Sequence, residues 1–411
     1  MNELRNHLEK KEISLLIGPR QAGKTTLMLL LKKELEQKGQ KVVFLNLDIE
    51  ADRQFFVSQA QLLKKVELEI GKTKGYVFID EIQRKRNAGV FLKGLYDMNL
   101  PYKFIVSGSG SVELKENIHE SLAGRKRIFE LGTLSFEEFV NHKTDYKYEG
   151  RLADFFSLEE ERTSGFLTEY LDFGGYPRVI LAETTNEKRQ IIAELYQSYL
   201  EKDISFLLGV RKTESFTALV RIIASQLGQL VNIAELSATL GLSMATVKNY
   251  LWYMEKTFLL DRVTPYYSNI RKEITKSPVY YFFDLGMRNY ALGVFGSASQ
   301  SQGVGFVFQN LIFRSLKEKT FAQAGQVHFW RTTDKVEVDF AVRSGQEIVP
   351  VEVKYQRLTS AKLTKSFKSF LTKYRPKRGY FIHLAGKKEK KFGETLVEFL
   401  PFYQFLLQEK L

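Results

Sequence analysis

The chain has 411 residues, 44% of them hydrophobic and 27% charged, a composition typical of a globular protein with roughly two to four domains. It has no cysteine, which excludes disulfides, thiolate metal ligands and cysteine nucleophiles. Its net charge of +13 favours polyanionic partners such as nucleic acid, although many basic proteins of this size bind none. Because no apolar run approaches the roughly 18 residues of a membrane span and no signal-like stretch is visible, we expect a cytoplasmic protein without membrane association.

Five short apolar runs alternate with helix-like segments in the first 132 residues. Near-continuous apolar strands of this kind are typical of a parallel sheet that is covered on both faces. The predicted strands are Ile13–Ile17, Val42–Leu47, Tyr76–Ile79, Lys103–Val106 and Arg127–Leu131. The sequence therefore predicts a three-layer α/β domain over residues 1–140.

The first predicted strand leads into a complete phosphate-binding loop. Such a glycine-rich turn at the start of a helix presents backbone N–H groups and the positive end of the helix dipole to a phosphate. We expect Lys24 to reach the β- and γ-phosphates of ATP and the Thr25 hydroxyl to ligate Mg²⁺. The residues predicted to contact the nucleotide are Gly18, Pro19, Arg20, Gln21, Ala22, Gly23, Lys24, Thr25 and Thr26. We call residues 18–26 the phosphate loop.

Two acidic residues end the third predicted strand. We expect Asp80 to orient the Mg²⁺ shell and Glu81 to act as the general base that polarises the attacking water. Ser107 and Ser109 end the next strand, where a hydroxyl can contact the γ-phosphate, but the Ser-Gly-Ser-Gly-Ser run is equally compatible with a flexible turn. Arg125 is either a surface arginine or an arginine finger that acts on the nucleotide of a neighbouring subunit in a homo-oligomer.

Residues 141–212 are predicted to be a connector. Residues 141–163 are polar and charged, as in a surface connection or insertion, and apolar residues then recur at helical spacing around Ile191, Ile192 and Leu195. We interpret the whole stretch as a helical connector.

Residues 213–295 have the pattern of a winged helix-turn-helix. Gly241 suits the turn, Ser243 suits the N-cap of the next helix, and the stretch from Arg262 to Tyr281 suits a wing. Winged helices also serve as protein-packing modules, so the pattern alone leaves the partner open. On the DNA-binding interpretation, Lys248, Asn249 and Tyr250 would face DNA, with Arg271, Lys272 and Lys276 in the wing and Trp252, Tyr253 and Leu259 in the core.

Residues 296–411 form a second α/β pattern. The predicted elements are a helix at 304–319, strands at 327–332, 336–343 and 348–355, a basic helix at 359–374, a strand at 379–384 and a solvated loop at 387–391. Asp339 lies on one predicted strand, and Glu352 and Lys354 lie on the same face of the next. Two carboxylates that share a Mg²⁺ beside a lysine form a reasonable phosphodiesterase site.

The basic helix of this region has two interpretations. Its lysines form either a stripe that faces phosphates or an ordinary solvated face. They are Lys362, Lys365, Lys368 and Lys373.

The first domain resembles the AAA-type ATPase domain of bacterial and archaeal ATP-binding proteins (AAA_14). The segments that carry this resemblance are Gly18–Thr26, Phe78–Gln83, Ser107–Ser109, Ser121–Arg125 and Leu134–Phe139. In that family a C-terminal domain of uncertain role, DUF4143, follows, and further segments here are similar to it. They are Gly174–Pro177, Tyr199–Asp203, Phe283–Gly286, Val336–Phe340 and Val351–Lys354.

The resemblance implies an ATPase core joined to a winged helix and a PD-(D/E)XK fold related to restriction endonucleases. Where the family commonly carries a glutamate before an asparagine, this chain has Gln309, whose amide contributes an oxygen but no charge to a metal site. The resemblance therefore implies either an active nuclease or an inactive scaffold or nucleic-acid clamp.

Three functions follow from these features. The leading hypothesis is an ATPase whose nucleotide state controls a DNA-directed C-terminal half, with DNA favoured over RNA. The second is a nucleotide-dependent signalling switch that recruits a protein partner. The third is an active metal-dependent nuclease.

Overall fold

The computed structural model describes residues 1–109, 121–205, 213–267, 273, 276–321, 325–332, 336–408 and 411. It divides into two compact units. The first comprises residues 1–133, 198–210 and 256–258, and the second comprises residues 134–197, 211–255 and 259–411. The predicted wing residues Arg271 and Lys272 lie outside the described residues. Within the described part of the chain, no helix is both long enough and apolar enough to cross a membrane.

The first unit is built on a parallel sheet, as the sequence predicts. Its strands are β1 (Ile13–Gly18), β2 (Val42–Asn46), β3 (Gly75–Asp80), β4 (Tyr102–Ser109) and β5 (Lys126–Glu130). Their order is β2-β3-β4-β1-β5, and every neighbouring pair is parallel. All residues of β1 and β3 are buried, as in a sheet covered on both faces. The carboxyl ends of all five strands therefore meet at the edge where the phosphate loop begins.

Helices precede the first strand or connect the strands that follow. They are α1 (Asn2–Asn6), α2 (Lys24–Gln37), α3 (Glu50–Arg53), α4 (Gln59–Ile70) and α5 (Ala88–Asp97). Met28, Leu31 and Leu35 of α2 repeat at helical spacing and pack in one core with Leu16 of β1 and Phe78 of β3. This packing fixes the start of α2, and with it the end of the phosphate loop, against the sheet.

Helices follow the first sheet along the chain. They are α6 (Phe136–Lys143), α7 (Leu152–Leu158), α8 (Glu160–Phe173), α9 (Pro177–Leu181) and α10 (Thr185–Ser198). The polar stretch at 141–163 is thus largely helical rather than a simple surface connection. Its acidic run contributes to this, because Glu160 and Glu161 lie in the first turn of α8, where negative side chains stabilise the helix dipole.

The helix-turn-helix is present. Its elements are α11 (Thr213–Ser225), α12 (Ile233–Leu240), α13 (Met244–Lys256), β6 (Leu260–Val263) and β7 (Val279–Phe282), and α14 (Leu285–Leu292) follows. Gly241 ends α12 with a φ of 61°, and the Ser243 hydroxyl accepts a hydrogen bond of 3.1 Å from Thr246 N–H at the start of α13. Both residues have the positions predicted for them.

The prediction that Tyr250 faces DNA is wrong. Its side chain is only 6% exposed and its ring packs 5.3 Å from that of Phe216, because it lies on the core side of α13. Lys248 and Asn249 are exposed, as expected. Trp252 and Tyr253 are half-buried rather than core residues.

Two glycine segments meet in the second unit. A Cβ on Gly174 would lie 2.3 Å from Gly286 N, and a Cβ on Gly286 would lie 2.3 Å from Phe173 O, so neither position has room for a side chain. The buried Asp284 carboxylate accepts hydrogen bonds from Gly175 N–H at 2.8 Å and Met287 N–H at 3.1 Å. The Gly-Gly-Tyr-Pro and Phe-Asp-Leu-Gly segments therefore form one buried junction.

The C-terminal part contains a six-stranded mixed sheet. Its elements are α15 (Val304–Phe321), β8 (Gln326–Arg331), β9 (Glu337–Ser344), β10 (Glu347–Val353), α16 (Lys365–Tyr374), β11 (Arg378–His383), β12 (Lys388–Phe392), β13 (Thr395–Pro401) and α17 (Phe402–Leu407). The strand order is β12-β13-β11-β10-β9-β8. The described chain is thus α/β overall, with a P-loop NTPase sheet followed by a C-terminal mixed sheet.

Two sequence predictions for this sheet need correction. Residues 388–391 belong to the edge strand β12 rather than to a loop, and their exposed charges are typical of a sheet edge that avoids further pairing. The basic helix begins at Lys365 rather than at 359, because the Thr364 hydroxyl caps it by accepting a 3.1 Å hydrogen bond from Phe367 N–H.

The segment after β6 pairs with the edge of this sheet. Tyr266 N–H donates to Phe329 O at 2.6 Å, and Phe329 N–H donates to Thr264 O at 3.2 Å. The start of the predicted wing therefore covers the outer edge of β8.

Candidate functional site

The phosphate loop leaves β1 at Gly18 and enters α2 at Lys24. Gly23 has a φ of 96°, in the left-handed region that glycine tolerates best. Gly18 is needed for a different reason, because a Cβ there would lie 2.2 Å from Leu131 O. The two glycines thus allow a turn at one end of the loop and a close approach to the chain after β5 at the other.

Lys24 lies inside the loop. Its side chain is 5% exposed, and Nζ donates hydrogen bonds to Gly18 O at 3.1 Å and to Pro19 O at 2.7 Å. The ammonium group is therefore positioned within the turn whose backbone N–H groups begin α2, as phosphate binding requires. Of the other predicted contact residues, Pro19 and Ala22 are buried, Arg20 is half-buried, and Gln21 and Thr26 are exposed.

Asp80, at the end of β3, connects the phosphate loop to β4. The Thr25 hydroxyl donates to Asp80 Oδ2 at 2.7 Å, and the Ser107 hydroxyl donates to Asp80 Oδ1. Glu81 N–H also donates to Asp80 Oδ1, at 3.1 Å. The Asp80 side chain is fully buried, so these donors hold its carboxylate at the carboxyl end of β3.

Glu81 follows directly, in a left-handed backbone conformation with a φ of 57°. Burial raises the pKa of its carboxyl group, the neighbouring Asp80 raises it further, and Lys24 and a hydrogen bond from Gln83 oppose this rise. The Gln83 side-chain amide donates that bond to Glu81 Oε2. Sequence reasoning assigned no role to Gln83, although it ends one of the segments that resemble the ATPase family.

Arg125 is not brought to the phosphate loop of its own chain. Its carbonyl accepts a 2.9 Å hydrogen bond from Ile13 N–H, so it lies at the amino end of β1, about 16 Å along the strand from Gly18. Its Nε pairs with Asp97 Oδ1 at 2.8 Å. An arginine finger directed at a neighbouring subunit stays a prediction. The backbone of Ser109 pairs in register with Gly18, and its contact with phosphate also stays a prediction.

The second candidate site lies at the ends of β9 and β10. Asp339 Oδ2 accepts a 2.7 Å hydrogen bond from Val353 N–H, and Lys354 Nζ lies 2.8 Å from Glu352 Oε1. Glu352 is 5% exposed, and its Oε2 has no hydrogen-bond partner in the described part of the chain. The structure thus brings together the three residues that the sequence predicts. We call Asp339 and Glu352 the C-terminal carboxylate pair.

The charges of these three side chains shift one another's pKa values. Burial raises the pKa of Asp339 to about 7, with the Glu352 charge as the second cause. Burial also raises the pKa of Glu352, against the effect of Lys354. For Lys354, burial acts to lower the pKa, but Asp339 and Glu352 outweigh it and the pKa rises. The single positive charge of Lys354 therefore offsets only part of the negative charge of the two carboxylates.

A divalent cation fits this pair chemically, since hard cations prefer carboxylate oxygens and Glu352 offers an oxygen without a partner. No cluster of three or more histidine, aspartate or glutamate residues suited to a metal occurs among the described residues. A metal held here would therefore need water or substrate oxygens to complete its shell, as Mg²⁺ commonly does.

Gln309 lies beside the Asp339 member of this pair. It is 8% exposed and lines a small cavity together with Asp339, Glu337 and Tyr281. Gly228 makes room for it, because a Cβ on Gly228 would lie 3.0 Å from Gln309 Oε1. Sequence reasoning missed Gly228 and Tyr281, since they are far from Gln309 in the chain and belong to no motif.

The parallel sheet, the phosphate loop and the buried Asp80 at the adjacent strand end are the features of a P-loop NTPase fold. Residues 10–140 match the AAA domain family AAA_14, and residues 304–405 match a domain of unknown function, DUF4143. The chain thus carries an AAA-type ATPase domain, which is an ATP-binding domain, followed by a DUF4143 domain. Residues 165–298 match another domain of unknown function, DUF8612, which sequence reasoning did not anticipate.

Similar proteins occur in distant organisms. An uncharacterized protein of Haemophilus influenzae is 25% identical over 356 residues, covering 84% of this chain and 82% of its own. One from Methanocaldococcus jannaschii is 26% identical over 338 residues, covering 80% and 72%. The structure of the Aeropyrum pernix Orc1 protein in complex with DNA is similar over 71% of this chain and 90% of that one, at 12% identity and a TM-score of 0.29, so nothing further follows from it.

Proposed function

We propose that this protein is a Mg²⁺-dependent ATPase whose nucleotide state controls a DNA-directed C-terminal half. The observation that carries the proposal is the contact of Thr25 and Ser107 with the buried Asp80, directly beside Glu81. The geometry that supports it is the meeting of a threonine hydroxyl, a buried carboxylate and a second carboxylate at one strand end.

Each group has a role in hydrolysis. Lys24 and the N–H groups of the loop bind the phosphates, with the other residues of the phosphate loop and Ser109 around the nucleotide. Thr25 and Asp80 would hold Mg²⁺, which neutralises phosphate charge when bound. Glu81 accepts a proton from water as the water oxygen bonds to the γ-phosphorus. The bond from that phosphorus to the bridging oxygen breaks, and ADP leaves.

The raised pKa of Glu81 suits this role. A carboxylate with a higher pKa is a stronger base while it remains deprotonated near neutral pH. Ser107 touches both Asp80 and the backbone N–H of Glu81, so a displacement of β4 would change the position of the base. Arg125 would complete the site of a neighbouring subunit if the protein assembles as a homo-oligomer.

The DNA-directed part of the proposal is supported by the C-terminal carboxylate pair with Lys354, the exposed Lys248 and Asn249 of α13, and the net charge of +13. Steady-state ATP turnover with and without duplex DNA tests it. We expect DNA to change turnover several-fold at low salt, as an order of magnitude for a coupling energy near 1 kcal/mol. Equal turnover in both conditions would refute the coupling.

A second candidate function is metal-dependent cleavage of phosphodiesters. It is favoured by the convergence of Asp339, Glu352 and Lys354, and opposed by the neutral Gln309 in the adjoining cavity. Plasmid cleavage with Mn²⁺ should then be lost in Asp339→Ala and retained in Glu347→Ala, whose carboxylate is exposed at the start of β10. Cleavage that persists in Asp339→Ala would place the activity elsewhere.

A further inference from the structure

The positive charge of the chain is concentrated in one short stretch. Residues 355–393 contain twelve lysines and arginines and one glutamate, an excess of eleven out of the net thirteen of the whole chain. The other 372 residues are therefore close to neutral. A polyanionic partner that is attracted by the net positive charge of this protein would therefore contact this stretch.

Two elements of this stretch lie on one face of the C-terminal sheet. Phe367 and Phe370 of α16 are buried in a core that also includes Phe392, the last residue of β12. Because side chains alternate along a strand, Lys388 and Lys390 lie on the same face as Phe392. Lys390 Nζ donates to Ala361 O at 3.1 Å, which joins β12 to the segment before α16.

The exposed side of α16 continues this surface. Burial of Phe367, Phe370 and Leu371 leaves its lysines on the outer side, where all of them are exposed. We call the combined surface the basic face; its residues are Lys362, Lys365, Lys368, Lys373, Lys388 and Lys390.

The basic face has few anionic neighbours. Within the described ranges, no carboxylate forms a salt bridge with Lys365, Lys368 or Lys390. Among the described residues of 355–393, the ion pairs join Arg357 to Glu160 and Lys377 to Glu347. No neighbouring carboxylate therefore neutralises these three lysines, and their positive charge can act on phosphates.

The side chains exposed around the basic face indicate which kind of polyanion it suits. No large hydrophobic side chain among the described residues of 355–393 is exposed, whereas an interfacial membrane helix presents an apolar face. Binding of single strands usually relies on exposed aromatic rings that stack with bases, and none is exposed here either. Rows of lysines without apolar or aromatic anchors fit the backbone of a duplex.

The basic face shares its side of the sheet with one residue of the second candidate site. Ile348 of β10 packs in the core under α16. Glu352 is four residues further along β10, so strand alternation places it on this side of the sheet. Strand alternation does not extend to Asp339, because the pairing of β8 with β9 shifts register between Ala341 and Val338.

We propose that the basic face binds the phosphate backbone of double-stranded DNA without reading its sequence. The inference rests on the proposed DNA-directed function and assigns the surface that performs it. Contacts of this type should make binding strongly dependent on salt and largely independent of sequence.

The test measures binding of the full-length protein to a fluorescent duplex of about 30 base pairs at roughly 50 to 200 mM salt. The test variant is Lys365→Gln/Lys368→Gln/Lys390→Gln. The matched control is Lys33→Gln/Lys64→Gln/Lys93→Gln, which removes the same charge from exposed positions of the ATPase unit. Thermal midpoints of all three proteins verify that these surface changes leave them folded.

We expect the test variant to bind about tenfold or more weakly at the lower salt, and the slope of log affinity against log salt to shrink by about 2.7. The control should match the parent. If both variants bind duplex equally weakly, the basic face is not the specific binding surface, although the protein still binds DNA. Failure of the parent to bind any duplex would refute the proposed function itself.

Two further measurements distinguish duplex DNA from other polyanions. Single-stranded oligonucleotide and phosphatidylserine vesicles replace the duplex in the same measurement. If either binds the parent more tightly than duplex and loses this binding in the test variant, the assignment to duplex DNA is overturned.

Discussion

Each of the two candidate sites of this chain contains an aspartate on a strand of its sheet, but the partners of the two aspartates differ. Asp80 accepts hydrogen bonds from Thr25, Ser107 and the backbone of Glu81. Asp339 accepts one from the backbone of Val353 and lies near the buried carboxylate of Glu352, whose charge acts on it. In the first site, hydrogen-bond donors fix the position of the Asp80 carboxylate. In the second site, two carboxylates bring negative charge close together.

This difference has a physical consequence for how each site responds to its surroundings. A carboxylate surrounded by donors is already ordered for its ligand, so binding requires little reorganisation. The two carboxylates of the second site share one lysine, so uptake of a proton or a cation is favoured there, because negative charge removed from water without a full counter-charge is costly. The ATP site should therefore respond mainly to nucleotide, and the C-terminal site to pH and divalent ions.

The largest expected effect is at Lys24. Lys24→Ala removes the buried ammonium from the phosphate loop and should lower kcat/KM for ATP on the order of 10³-fold. Lys33→Ala, on the exposed side of the same helix, should match the parent. Steady-state ATP turnover measures both, and an unaffected Lys24→Ala would show that the loop is not the catalytic nucleotide site.

Glu81→Gln separates binding from chemistry. The amide cannot accept the proton of water, so kcat should fall on the order of 10²-fold while nucleotide binding is retained. Calorimetric titration with ATP and turnover measurements distinguish the two effects. Glu36→Gln, an exposed glutamate at the end of α2, serves as the control. Hydrolysis at the parental rate would assign the base elsewhere.

Asp339→Asn tests the charge of the second site. Because the folded pKa of Asp339, about 7, lies above its ordinary value of 3.8, the native state holds its proton more tightly and stability falls as pH rises between these values. Asp339→Asn has no proton to hold at this position, so its stability does not fall for this reason. The difference in free energy of unfolding between variant and parent should therefore shift in favour of the variant by on the order of 2 kcal/mol between pH 5 and pH 8.

Thermal unfolding at several pH values measures this difference. Asp154→Asn, at an exposed position of α7, should follow the pH dependence of the parent. Addition of Mn²⁺ at pH 8 should raise the midpoint of the parent more than that of Asp339→Asn, if the pair binds a cation. If the stability of parent and Asp339→Asn changes with pH in parallel, the pKa of Asp339 is not raised.

The smallest expected effect is at Gln83. Its hydrogen bond lowers the pKa of Glu81, so Gln83→Leu should raise that pKa and move the acid limb of ATP turnover to higher pH. We expect a loss of a few-fold near pH 6 and little change near pH 9, in line with the loss of one hydrogen bond to a charged group. A uniform decrease at all pH values would indicate a merely structural role.

The sequence predicts the first site well because its parts are short and local. A strand, a turn and a helix start are contiguous in residues 13–37, and an acidic pair marks the end of a buried strand. The adjacency of Asp80 and Thr25 then follows from parallel pairing, since strands of a parallel sheet end at one edge.

Other features depend on contacts that sequence periodicity does not encode. Tyr250 lies on a helix with both buried and exposed aromatic residues, and only packing against Phe216 settles its side. The cavity beside Asp339 joins Gly228, Tyr281 and Gln309 from three separate elements. β12 carries four charged residues in succession, so its pairing with β13 is invisible to a hydrophobic pattern.

The hydrogen bonds between Thr264–Tyr266 and Phe329 bear on how this chain can be divided for experiments. A fragment that began at α15 would keep β8 but lose the segment that covers its outer edge. Uncovered edge strands template pairing between molecules, so such a fragment should self-associate. Expression fragments and proteolytic cuts should keep the helix-turn-helix and the C-terminal sheet together, even though they match separate families.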